Sequence, residues 1–380
     1  MVDLSKCYLH NLGEKEAELL RELRARVPAL VARARAESAE AAALERMTIW
    51  KQDVEGDGDG TNMMLLKFIR AEELNVDTAA ERIVQTLVFR AECKLDELAA
   101  SELPEHFHGH DFIGSTDSQG RPVVISRFGG MEPDKVFADV EAFVRYRAQL
   151  MEKLIAQLKW ERGTPEDLCQ IHDYAGVQVS SVTNKDVKMG VSSLSKVFGE
   201  HYPEFKGKTI FLNFPRAFVK VFQAFTVLIP ERTRQKFLIL GDNDHATLFE
   251  TLRPECVPEV LGGMLQDPPS ALQCPCHVVT IKARASEEVA AAEVSGPAAV
   301  LWELRVCYAE VAYQVAFVPA DGGEEDDVRR TEPKEYLQAL DGIVSGEYYA
   351  KVPGKLVIRF LNEGAWFKSR LGVCRAQVKA

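Results

Sequence analysis

Residues 168–176 read LCQIHDYAG, an apolar run that ends on His172 and Asp173 shortly before Gly176. An imidazole next to a carboxylate at a strand end could do general acid–base chemistry, and α/β folds place functional side chains there. The same carboxylate could equally cap the following helix. A hydrolase would also need a nucleophile, yet there is no G-x-S-x-G elbow and no cysteine in a catalytic signature. HFHGHD (106–111) offers three imidazoles at alternate positions and CPCH (274–277) adds thiols, but no second cluster has the spacing of a structural metal site. GKT (207–209) lacks the glycine of a phosphate-binding loop, because Tyr202 occupies that position, and it precedes a strand instead of joining strand to helix. DGDG (57–60) cannot be set in register with a calcium loop and reads as a flexible linker. The expectation is a protein with no catalytic residues, no metal and no cofactor.

Bulk properties narrow the class further. The 380 residues are long enough for two or three domains, 46% are hydrophobic and 27% charged, and the net charge is −11. That charge argues against nucleic acid as a partner and against indiscriminate adsorption to anionic membranes. Residues 351–380 run the other way. Lys351, Lys355, Arg359, Lys368, Arg370, Arg375 and Lys379 face a single acid, Glu363. With no apolar run of spanning length, no signal-peptide pattern and eight scattered cysteines, a soluble, cytoplasmic chain is expected.

The elements that must position any site follow from periodicity. Residues 14–50 look helical, with Pro28 breaking the run, and EGDGDG (55–60) reads as a polar joint. A helical module follows, headed by Leu65, Leu66, Phe68 and Ile69, with Asp77 or Thr78 as the cap of its next helix. From about 110, strands at 121–128, 168–176, 208–214 and 236–241 alternate with helices at 140–160 and 184–199, which implies an α/β domain with a largely parallel sheet. AFVKVFQAFTVLI (217–229) puts Phe218, Val221, Phe222, Phe225, Leu228 and Ile229 on one helical face. Beyond 277, short alternating strands suggest a β-sandwich, with GGEEDD (322–327) an exposed acidic loop.

Six segments then resemble one family, in its order. LLKFIRAEELNVDTAA is similar to the helical segment that precedes CRAL-TRIO lipid-binding domains, SQGRPVVI to their first strand and IHDYAGV to their D-x-x-G turn. HYPEFKGKTIFLNFP, RTRQKFLILG and PECVPEVLGG resemble the YPE…I-N-x-P, T-x-x-K and closing GG segments. LWELRV through the last strands resembles a GOLD β-sandwich, a pairing found in patellin-like phosphatidylinositol-transfer proteins.

The resemblance implies four regions. They are a helical extension and linker (1–60), a helical module (61–105), the lipid-binding α/β domain with its mixed, largely parallel sheet and gate helix (106–275), and an all-β GOLD sandwich (276–380). It implies a non-enzymatic carrier that encloses a phosphoinositide or other hydrophobic cargo and docks peripherally on membranes, with protein contacts through the GOLD region. Phe218, Val221, Phe222, Phe225, Leu228 and Ile229 would form the gate and acyl pocket. Glu204, Thr233, Lys236 and Arg70 would hold the headgroup. Two positions that are basic in some relatives are Glu72 and Glu73 here, and two carboxylates repel a phosphate unless they point away. An interaction subunit with a decayed lipid site is the alternative.

Overall fold

The computed structural model describes residues 9–178, 184–215, 234–241, 244–331 and 336–379, and the chain divides into two compact units, Met1–Gly241 and Asp242–Ala380. The first unit opens with helices α1 (Glu14–Glu37) and α2 (Ala39–Ala43), followed by a short hairpin of β1 (Thr48–Ile49) and β2 (Gln52–Asp53). Helices α3 (Asp59–Ala71), α4 (Val76–Glu92) and α5 (Leu95–Leu98) complete the helical part. Pro28 lies inside α1 and does not end it. Its ring faces outward, while Leu20, Leu23, Val27, Val31 and Ala34 are buried in one core with α3 and α4. A helix-interior proline costs about 3 kcal/mol, and burying a single large aliphatic side chain returns about 1.5–3 kcal/mol. The cap of α4 is Asn75, whose Oδ1 accepts from the Asp77 and Thr78 amides, so the signal lay two or three residues earlier than expected.

Five strands form the sheet of this unit, in the order β3-β4-β5-β6-β7. They are β3 (Asp111–Thr116), β4 (Pro122–Arg127), β5 (Leu168–Asp173), β6 (Lys206–Leu212) and β7 (Phe237–Ile239). β3 pairs antiparallel to β4 and every later pair is parallel. The crossovers carry α6 (Pro133–Val136), α7 (Val140–Ile155) and α8 (Lys185–His201), with α7 capped by Asp139 and α8 by Asn184. This is the expected mixed, largely parallel α/β sheet.

The second unit begins with α9 (His245–Thr251) and continues into strands that build two antiparallel sheets. β8 (His277–Ile281), β9 (Ser286–Val294), β10 (Ala298–Val306) and β11 (Glu310–Pro319) come first. β12 (Asp326–Arg330), β13 (Leu337–Gln338), β14 (Val344–Ala350), β15 (Gly354–Leu361) and β16 (Arg370–Val378) follow. The orders are β14-β10-β16-β8 and β12-β11-β15-β9, and Trp302, Leu304, Phe317, Ile358 and Phe360 fill one core between them, as in a β-sandwich. Residues 254–264 pack here too, because the buried Arg305 donates to the carbonyls of Glu259 (2.9 Å) and Gly263 (2.6 Å). Among the described residues no helix is long and apolar enough to cross a membrane.

Candidate functional site

A cavity of about 480 Å³ lies in the first unit, against the sheet and between α7 and α8. Its floor is Val124 of β4 with Gln170 and His172 of β5, residues two apart on one sheet face. Leu150, Met151 and Leu154 of α7 and Leu194 and Phe198 of α8 make an apolar wall at helical spacing. Its rim is polar. Arg82, Arg147, Glu204, Lys206 and Lys236 all line it, so two of the expected headgroup residues, Glu204 and Lys236, come together in space. Thr233 and all six expected gate residues, Phe218, Val221, Phe222, Phe225, Leu228 and Ile229, lie outside the described residues.

Arg70 is placed elsewhere. Its guanidinium donates to Glu16 (2.8 Å) and sits 3.6 Å from Glu166, it is almost fully buried, and it is absent from the cavity lining. The carboxylate that raised concern is neutralised. Glu72 accepts from Arg82 at 2.6 Å, and Arg82 also donates to the Glu200 carbonyl (2.7 Å) at the end of α8. Glu73 is exposed and does not line the cavity.

Three further cations at the site were not singled out from sequence: Arg82, Arg147 and Lys206. Lys206 lines the cavity and keeps more than a third of its surface open, while protein crowds its amine. That crowding lowers its pKa, and the like charge of Lys236 lowers it further. Arg147 is buried and donates to Ser126 (3.1 Å) and Asp111 (3.3 Å). Asp111 also accepts from the Tyr146 hydroxyl.

His172 and Asp173 do not form a pair. Adjacent strand residues point to opposite faces, and Asp173 accepts from Asn213 (2.8 Å) and the Ala175 amide (3.0 Å), closing the turn after β5. The His172 ring is tilted or stacked against Phe128 and Phe211, and burial, with Arg147 and Lys206 adding repulsion, pushes its pKa down to about 3. His201, stacked on Phe89, is pushed down to about 4, chiefly by burial. The unfolded chain takes up protons near 6.5 that the folded chain refuses, so stability falls as pH drops below that value. At pH 5 each histidine should remove about 2 kcal/mol relative to neutral pH. Chemical denaturation across pH should show this loss, and His172→Phe should remove about half of it.

Lys67 supports the rim from beneath. It is buried, 4.2 Å from the centroid of the Phe205 ring, and donates to the carbonyls of Glu166 (2.5 Å) and Glu204 (2.9 Å). Glu204 has φ +56°, a left-handed conformation that a non-glycine residue adopts only when its surroundings impose it. Burial lowers the Lys67 pKa to about 8, against nearby acids led by Glu166. A lysine amid MMLLKFI was the sequence signal available, since lysine is almost never fully buried without partners. Lys67→Met is expected to cost about 2 kcal/mol through two abandoned carbonyls and to weaken ligand binding several-fold; thermal unfolding and a binding titration read the two effects separately.

A family model described as "CRAL/TRIO domain" matches residues 106–263. The chain carries a CRAL/TRIO domain. Patellin-2 of Arabidopsis thaliana is 26% identical over 342 residues, covering 88% of this chain but only 49% of its own length. A "Phosphatidylinositol transfer protein sfh5" of Aspergillus clavatus is 28% identical over 225 residues, covering 55% of this chain and 51% of its own. The crystal structure of Sfh5 superposes with a TM-score of 0.55 at 22% identity, covering 63% of this chain and 84% of that one, a likeness of fold. The cavity described above lies within the first compact unit, where Val124, Gln170, His172, Lys206 and Lys236 all belong to the CRAL/TRIO match. The patellin match extends well beyond that domain, and the all-β second unit is consistent with the expected sandwich.

Among the described residues no three His, Cys, Asp or Glu side chains converge as a metal site would require.

Proposed function

We propose that the protein is a non-enzymatic lipid carrier whose cavity takes an anionic phospholipid, a phosphoinositide foremost. One observation carries this reading: an apolar wall from α7 and α8 meets a rim bearing Lys206 and Lys236 in the same cavity. Each CH₂ left in water costs about 0.8 kcal/mol, so acyl chains belong against that wall. A phosphate belongs between the two amines. Arg82 answers Glu72, and among the described residues Glu204 is the one carboxylate in the lining. Residues 217–229 serve as the gate, Thr233 joins the headgroup contacts, and Arg70 acts as a structural ion-pair partner. The carrier works in the cytoplasm and visits membranes peripherally, with the second unit as a GOLD-type sandwich.

Native mass spectrometry with lipid extraction on the purified chain tests this reading. An anionic phospholipid should co-purify with wild type and be lost from Lys236→Ala. A neutral lipid indifferent to Lys236 would keep the cavity and overturn the ligand class. A chain that holds no lipid and cannot be loaded from vesicles would instead be an interaction subunit.

A further inference from the structure

The basic C-terminal region does not present the even basic edge that its composition suggests. Arg359 pairs with Glu288 (2.7 Å) and Glu325, the buried Arg375 pairs with Glu303 (2.7 Å), and Lys379 reaches Glu347 (3.5 Å). Lys351 and Lys355 flank the start of β15. At the other end of that strand the chain is built differently. Register pairs Leu361 with Ser286 and Arg370 with Ile281, which sets the loop 362–369 beside the turn 282–285.

Asn362 fastens the two loops together. It is buried, its Nδ2 lies 3.0–3.1 Å from the carbonyls of Ile281, Lys282 and Lys368, and its backbone exchanges 2.9 Å bonds with Arg284 and Ala285. Ala365 is buried beneath the loop, yet the next two residues face water, Trp366 at 70% exposure and Phe367 at 93%. The Arg284 guanidinium lies 3.8 Å over the Trp366 ring. Across 282–285 and 362–370 the bases are Lys282, Arg284, Lys368 and Arg370, and the only acid is Glu363.

We propose that this tip is a membrane-docking element, with Trp366 and Phe367 entering the interfacial layer of an anionic bilayer while Lys282, Arg284, Lys368 and Arg370 meet its headgroups. Two adjacent aromatic side chains on a fastened loop gain nothing from water, and amphipathic rings settle at the level of lipid headgroups. The bases supply the charge complementarity that selects an anionic lipid surface, each contributing on the order of a few-fold in affinity. Because Asn362 holds the loop in shape beforehand, little ordering cost remains at docking. The inference rests on the carrier reading, since a carrier must meet the membrane it loads from.

The test uses the full chain and vesicles of phosphatidylcholine alone or with phosphatidylserine, with bromine-labelled acyl chains in a parallel set. Wild type should float with the phosphatidylserine vesicles, and brominated chains should quench tryptophan emission. That quenching should vanish in Trp366→Ser. Trp366→Ser/Phe367→Ser should lower partitioning at least about tenfold, and Arg284→Ala/Lys368→Ala by about tenfold with a flatter salt dependence. All four positions are exposed, so an unchanged melting temperature confirms that the variants fold. Vesicle binding that ignores both double substitutions, or that persists without quenching, overturns the proposal. Capture of an acidic protein by the tip in place of vesicles overturns it too and makes the tip a protein contact. Lipid extraction on the same samples separates the two readings. Lipid-loaded protein that ignores the tip variants sinks the tip alone, and tip-dependent binding by lipid-free protein sinks the carrier alone.

Discussion

Glu152→Ala should destabilise the first unit by about 3–5 kcal/mol, the range for stripping one partner from a buried ion pair. Glu152 accepts from both terminal nitrogens of Arg90 (2.7 and 3.1 Å) and from the Tyr202 hydroxyl (2.8 Å). The Arg90 and Glu152 side chains are only 4% and 8% exposed, so water cannot substitute for the missing carboxylate. Burial alone would lower the Arg90 pKa, yet Glu152, with Asp96 and Tyr202 adding to it, offsets that cost and the pKa is raised. With Glu152 gone, Asp96 is the partner left to Arg90, and that carboxylate is 44% exposed. Tyr202 stands in the cavity wall, so the same substitution should also loosen the ligand. A drop of about 10 °C in melting temperature is expected for a unit of this size. Arg90→Met combined with Glu152→Leu should recover most of it, because well-packed apolar side chains replace buried pairs at little cost. Equal melting temperatures for wild type and Glu152→Ala would mean that the triad is not a structural joint.

The second large effect concerns binding. Lys206→Ala/Lys236→Ala should weaken an anionic headgroup at least a hundredfold, since each charge-assisted hydrogen bond is worth about 1.5–3 kcal/mol. The two lysines approach because β6 and β7 run parallel side by side, with the Thr209 amide on the Lys236 carbonyl at 2.8 Å. Burial lowers the pKa of Lys206, and the positive charge of Lys236 lowers it further. A bound phosphate reverses that shift by favouring the protonated amine. Affinity is therefore highest below the pKa of Lys206 in the empty cavity and declines as pH rises through it, earlier than an ordinary lysine would allow. Titration of an inositol phosphate from neutral into alkaline pH should show this slope in wild type and its absence in the double variant. A slope that survives the double substitution would assign the phosphate to other groups.

Most of the sheet could be read from the chain because its strands are short apolar runs: Leu168–Asp173 lies within the expected 168–176, and Lys206–Leu212 overlaps the expected 208–214 two residues early. The position of α4 was legible too, although its cap was assigned two or three residues late. The cavity rim was only half legible. Glu204 and Lys236 sit in motif segments, whereas Arg82 and Lys206 matter only because β6, α8 and the α3–α4 hairpin converge, which no local spacing states. Arg70 looked like a ligand because its partners, Glu16 and Glu166, come from distant parts of the chain. The same holds in the C-terminal strands, where composition counted Arg359 and Arg375 as surface charge and cross-strand acids neutralise them. Long-range pairing decides which charges are available, and periodicity is blind to it.

The packing of α1 has a consequence for how the first unit could be divided. Leu23, Val27 and Val31 share a core with Leu65, Phe68 and Ile83, and Arg33 holds Glu81 through two 2.6 Å hydrogen bonds across α1 and α4. The peptide at 55–58, just before α3, is thus a tether between surfaces that already recognise each other. Cut there, the two pieces would stay together as a non-covalent pair. Supplied as separate polypeptides, they would find each other by complementation, as the halves of a split protein do.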